Sequence, residues 1–191
     1  MRVPERVHQA AGEVVEAALM ETVRELAHAL PDELVRPMVV VEASASALVC
    51  EAVYLTHGLH ALGIGPDVDV LHRLVDRTYA EPETRLADRD GRDADRDLFM
   101  LTFYEETDCD VLVPGLRVAR RYSKAMTDAI DRLKLVEFRY VPGIVCGMFA
   151  TRGVQALARR SYVTREGAHR RVDLFWKLAQ DKRLEESRLL S

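Results

Sequence analysis

The chain has 191 residues, of which 48 % are hydrophobic and 30 % charged, and its 27 Lys/Arg against 31 Asp/Glu leave a formal net charge of −4. A chain of this length suits a single domain with a real core, burying roughly 70 % of its unfolded surface, and its apolar share excludes an intrinsically disordered protein. Near-neutrality conceals a dipole: residues 1–110 carry 10 Lys/Arg against 23 Asp/Glu, a net of −13, while residues 111–191 carry 17 against 8, a net of +9, a segregation that suits partner binding by one half or docking of the halves on each other.

Residues 5–30 read as the first helix. Pro4 and Pro31 bracket it, His8, Ala11, Val15, Leu19, Thr22, Leu26 and Ala29 recur at steps of three and four, and Glu13, Glu16 and Arg24 occupy the opposite face. From Pro37 to Leu62 the chain is apolar on nearly every side, the pattern of a central helix enclosed by others. The stretch is long enough to span a bilayer. Glu42, Glu51, His57 and His60 interrupt it, however, and each acidic group at a membrane centre would cost about 2.5–3.5 kcal/mol, so no membrane span is expected. The β-branched run Val39-Val40-Val41 is the competing signal for a strand.

Gly63-Ile64-Gly65-Pro66 breaks the helix, and Asp67 is expected to cap a short one whose inner stripe is Val68, Leu71, Leu74, Val75 and Thr78. Residues 81–97 hold almost nothing apolar and read as a mobile charged loop. After the turn at Pro114-Gly115, Val118, Tyr122, Ala125, Ala129 and Leu133 mark a helix over about 115–134, with Arg117, Arg120, Arg121 and Lys124 on its solvated sides. Residues 135–141 alternate as a strand would but run into Pro142-Gly143, which favours a helix end or an extended connector. A helix over about 143–161 follows. Thr164 can cap the last one, with Ala168, Val172, Phe175 and Ala179 inward. The expected fold is all-α, a single-domain bundle of six or seven helices around residues 37–62, the alternative being α+β with short strands near 38–41 and 135–141.

The residues that carry chemistry are histidines and carboxylates at helical spacing. Helical-bundle metal centres use inward glutamates and Glu-x-x-His pairs; Glu25-Leu-Ala-His28 is one, Asp69-Val-Leu-His72 is a looser version, and the central helix adds Glu51, His57 and His60. Glu25, His28, Glu51, His57, His60 and His72 are therefore the candidate ligands for iron or another divalent metal. Helical angles place His28 toward solvent and Glu51 and His60 on nearly opposite sides of their helix, so such a site would need ligands from several helices. Cys50, Tyr54 and His57 share one face of the central helix and form a candidate ligand-binding surface. The simpler expectation is that Glu51 and the histidines are core polar groups satisfied by arginines or backbone.

On the last helix, the string His169-x-x-x-Asp173-x-x-Trp176 resembles the late-helix His-x-x-x-Asp-x-x-His of haem-oxygenase-like di-iron enzymes at two positions of three, with Trp176 where the last ligand would stand. The resemblance spans eight residues and would give His169 and Asp173 a metal role; without the third ligand the expectation is an ion pair between them. Asp88-Arg-Asp-Gly91 is similar to part of a calcium loop, but Leu86 holds the first-ligand position and Arg89, Arg92 and Arg96 oppose a cation. Arg159, Arg160, Arg170 and Arg171 are candidate anion-binding residues of the basic second half. A nucleic-acid face there is disfavoured by the net charge and by the lack of a recognition module.

Three widely spaced cysteines, Cys50, Cys109 and Cys146, form no Cys-x-x-Cys pair, and no apolar leader follows Met1, so a cytoplasmic protein without disulfides is expected. No nucleophile elbow, phosphate loop or dinucleotide fingerprint is present, no catalytic residue is assigned, and the residues leave open whether the chain is an enzyme. The first reading is a helical protein, possible regulator and homodimer among its forms, that binds a small apolar ligand or a protein partner. The second is a helical-bundle metalloenzyme of the non-haem iron oxygenase kind, and the third a nucleic-acid-associated protein using the basic half.

Overall fold

The computed structural model describes residues 5–29, 37–81, 113–132, 141–160 and 163–189. All the regular structure in them is helical: α1 (Glu5–Ala29), α2 (Pro37–Ala61), α3 (Asp69–Ala80), α4 (Val113–Arg132), α5 (Val141–Arg160) and α6 (Arg165–Leu189). The strand alternative is overturned where it can be judged, because residues 38–41 lie inside α2 and Val141 opens α5. Residues 135–140, and the loop expected at 81–97 beyond Glu81, lie outside the described residues.

The β-branched run at 39–41 becomes helical because its helix is packed on almost every side, and tertiary burial overrides a weak local preference. Helix α2 lies against α1, α4, α5 and α6, and residues 42–49 are buried without a break. Its middle is small (Ala43, Ser44, Ala45, Ser46, Ala47), so neighbouring backbones come close. A Cβ on Gly153 of α5 would stand 2.7 Å from Val49 Cγ2 and 3.1 Å from the Ala45 carbonyl oxygen; one on Gly115 of α4 would stand 2.7 Å from Thr22 Cγ2 and 2.9 Å from Ala47 Cβ. Two hydroxyls in these seams are satisfied within their own helices, Ser44 Oγ donating to the Val40 carbonyl at 2.6 Å and Thr22 Oγ1 to the Ala18 carbonyl at 2.7 Å, whereas the buried Ser46 Oγ has no hydrogen-bond partner among the described residues.

Helix α2 ends in a Schellman motif. Gly63 takes the left-handed conformation at φ 69°, its N–H donates to the His60 carbonyl at 2.8 Å, and the Ile64 N–H reaches the Leu59 carbonyl at 3.0 Å. Asp67 stands one position earlier than a cap should. Val68 is the N-cap of α3, without a side-chain bond, and Asp67 Oδ1 instead accepts the Asp69 N–H at 3.0 Å in an Asx turn. The inner stripe of α3 is Leu71, Val75, Thr78 and Tyr79, and the Tyr79 hydroxyl ties it to the approach of α6 by donating to the Val163 carbonyl at 2.9 Å.

On α4 the buried line runs through Gly115, Val118, Ala119 and Met126, with Ala125 exposed. Of the expected stripe Val118 is buried and Tyr122 packs half-buried against the core, while the large Met126 takes the core place assigned to Ala125. Helix α6 follows its sequence pattern closely: Thr164 Oγ1 accepts the Gly167 N–H at 3.0 Å, and Ala168, Val172, Phe175 and Ala179 are all buried. One core cluster draws buried side chains from all six helices and from Val163. No described helix is long and apolar enough to cross a membrane.

The two charged halves dock on each other. Arg120, Arg121, Arg159, Arg165 and Arg171 of the second half meet Glu51, Glu21 and Glu25, Glu81, Asp76 and Glu42 of the first. Part of the sequence dipole is therefore neutralised between helices of one chain.

Candidate functional site

A cleft of about 390 Å3 opens between the C-terminal end of α2, α3 and α5. Val70, Leu71 and Leu74 of α3 form one wall and Leu59 of α2 the end. The α5 wall is Gly143, Cys146, Gly147 and Ala150, and these small residues are why the cleft exists. A Cβ on Gly143 or Gly147 would meet nothing within 4 Å among the described residues, whereas Gly153 on the same helix is jammed against α2. One helix thus packs through one glycine and stands clear at two others.

The polar groups on the walls are committed internally. Thr56 Oγ1 donates to the Ala52 carbonyl at 2.7 Å and Thr151 Oγ1 to the Gly147 carbonyl at 2.7 Å. Burial pushes the Cys146 thiol up to about 12, the Glu51 carboxylate adds to the rise, and a hydrogen bond with Thr56 works against it. The group is a protonated wall element, not a nucleophile. Among the described residues, the charged groups of the lining are Arg73 and Arg77 of α3, both exposed, and no carboxylate lines the cleft.

The predicted face Cys50, Tyr54 and His57 does not line this cleft; Tyr54 and His57 lie in the seam between α2 and α6. Around the Tyr54 ring stand three cations, Arg183 at 4.6 Å from the ring centroid and Arg120 and Lys182 each at 5.5 Å. Arg183 also donates to the Tyr54 carbonyl at 3.2 Å. His57 meets Trp176 edge to face at 4.8 Å, and His60 tilts on the same indole at 5.7 Å. Burial lowers the pKa of His57, helped by Arg183 and His60, and its Nδ1 has no hydrogen-bond partner among the described residues. Glu51 accepts Arg120 Nε at 3.0 Å, yet burial raises its pKa against the pull of Arg120 and Lys182.

The six candidate metal ligands are dispersed. Glu25 lies 3.5 Å from Arg121, which also pairs with Glu21. His28 is exposed. Glu51 belongs to Arg120, and His57 and His60 to Trp176. His72 Nε2 is 2.8 Å from Asp173 Oδ1, while His169 Nε2 is 2.8 Å from Asp76 Oδ1, the two imidazoles touching at 4.9 Å between centroids. The expected pairing of His169 with Asp173 along α6 is replaced by this exchange, in which His72-x-x-x-Asp76 and His169-x-x-x-Asp173 each serve the other helix. The His169 hydrogen bond lowers the pKa of Asp76, with Arg165, 2.7 Å away, acting in the same direction against a small burial effect. Among the described residues no group of three or more His, Cys, Asp and Glu is placed to hold a metal ion.

The four candidate anion-binding arginines are also separated. Arg171 is buried on Glu42, Arg159 holds Glu81 at 2.8 Å, Arg170 is exposed on the far side of α6 from its buried stripe, and the side chain of Arg160 lies outside the described residues. Sequence reasoning missed Arg73, Arg77, Gly143 and Gly147; the spacing of four within each pair is their only signal. Compared with protein-family models, curated proteins and solved structures, the chain matches none.

Proposed function

We propose that the protein binds a small molecule, housing its apolar body in the cleft between α2, α3 and α5. The observation that carries this reading is the open space over Gly143 and Gly147 opposite the apolar wall of α3. Glycine in a helix interior costs about 1 kcal/mol relative to alanine, and Gly147, one turn after Gly143 in the first turn of α5, faces the gap with it. Cavities of about 300–1,000 Å3 with mostly apolar walls are the usual size of ligand sites, and this one falls in that range. The thiol held protonated on its wall supports binding over covalent chemistry. A Cys146 thiol outside any disulfide supports a reducing, cytoplasmic setting.

The test is a titration with N-phenyl-1-naphthylamine, a neutral probe that fluoresces in apolar surroundings. The wild type should show saturable enhancement at one site. Gly147→Leu, whose side chain enters open space, should abolish it while helical circular dichroism is kept. Enhancement unchanged in Gly147→Leu, or no enhancement in the wild type, would overturn the reading.

A further inference from the structure

Arg73 and Arg77 stand one turn apart on α3 at the edge of the cleft, and neither makes an ion pair or hydrogen bond among the described residues. This is unexpected for their surroundings. Asp69 and Glu81 sit four residues before Arg73 and four after Arg77, the spacing at which helical ion pairs form; yet Glu81 is taken by Arg159, and Asp69 makes no pair with Arg73. Asp76, three residues after Arg73 and so also within helical pairing distance, is occupied by His169 and Arg165. Among the described residues, these two guanidinium groups are left uncommitted beside an apolar cavity.

Resting on the ligand-binding reading, we infer that the ligand is an amphipathic anion: an aliphatic body laid between α3 and the glycine face of α5, with a carboxylate or phosphate head held at the rim by Arg73 and Arg77. The lining itself makes the argument. Its hydroxyls are bonded to their own helices, its thiol is neutral, and among the described residues its charged groups are two arginines and no carboxylate. A wholly apolar ligand would leave this charge unanswered, whereas guanidinium groups form their strongest hydrogen bonds with planar or tetrahedral oxyanions. Volume sets the body at roughly eight to twelve carbons, within the span of small-ligand cavities.

Calorimetric titration of the full chain with decanoate, decyl phosphate and 1-decanol separates the possibilities. The wild type should bind at least one of the two anions about tenfold or more tightly than decanol, and the tighter anion identifies the head group. Arg73→Gln/Arg77→Gln should reduce that anion to the affinity of decanol and leave decanol unchanged; both sites are exposed, so the fold should survive, as circular dichroism would verify. Decanol binding as tightly as the anions, or anion affinity unmoved in the double variant, would overturn the inference while leaving the cleft reading intact. Failure of all three to bind the wild type would overturn the cleft reading itself.

Discussion

Glu42 and Arg171 lie 129 residues apart in the chain and meet inside the bundle, with at most 1 % of either side chain exposed. One belongs to the acidic half and the other to the basic half, and among the described residues this is the most deeply buried ion pair between the two halves. A charge pair taken fully out of water gains little over a well-packed apolar pair, but losing one member leaves the other uncompensated.

Arg171→Met is therefore predicted to destabilise the protein by about 3–5 kcal/mol, and Glu42→Leu similarly. The double variant Glu42→Leu/Arg171→Met should recover most of the loss. Urea unfolding of the four proteins forms the cycle; single-variant losses that simply add would show that the two groups act independently.

Two glycines of α5 should respond in opposite directions to the same change. Gly147→Ala places a methyl in open space and should stabilise by up to about 1 kcal/mol through helix propensity. Gly153→Ala drives a methyl against Val49 and the Ala45 carbonyl and should cost about 1–3 kcal/mol net of that gain. Thermal melts of the two variants give the comparison, and equal shifts would contradict the packing described for α5.

Stability should fall as the pH drops below about 6.5, the ordinary His value, because His57 is held below it by burial, Arg183 and His60. In that window the unfolded chain takes up a proton that the folded state resists, so lowering the pH favours unfolding until the folded pKa is passed. Glu51, raised by burial, acts with the opposite sign above 4.5, and Asp76 acts only below 3.8. The drop in melting temperature between about pH 7.5 and pH 5.5 should shrink in His57→Leu; an undiminished drop would place the titrating group elsewhere.

The helices are legible because their signals are local. The stripe Ala168–Ala179 and the Thr164 cap define α6, and the all-round apolar character of the second helix correctly implies enclosure over residues 40–57, whereas His60, Ala61 and Leu62 stand exposed. The strand alternative at 38–41 came from residue preference, which burial overrode, and on α4 Met126 replaced Ala125 in the core because both are apolar and only packing distinguishes them. Partner choice is less legible: the sequence segregates charge without revealing that Arg171 selects Glu42, or that His72 and His169 exchange aspartates. The cleft is least legible, since its signal is missing side chains at Gly143 and Gly147, and glycine in sequence does not say whether it faces a neighbour, as Gly153 does, or a gap.

Cys146, whose thiol is pushed up to about 12 and is 5 % exposed, should react with 5,5′-dithiobis(2-nitrobenzoate) far more slowly than a free thiol. In a Cys50→Ser/Cys109→Ser background, labelling at neutral pH should require unfolding by urea. Rapid labelling of the folded protein would mean that the thiol is not held protonated on the cleft wall.

The cleft itself is tested most directly by following backbone amides in 1H–15N spectra during addition of decanoate. Shifts should concentrate on residues 70–77 of α3 and 143–151 of α5, with 42–49 of α2 unmoved and the response lost in Gly147→Leu. Shifts centred instead on Tyr54, His57 and Trp176, or a pattern unchanged by Gly147→Leu, would contradict a binding site between α3 and α5.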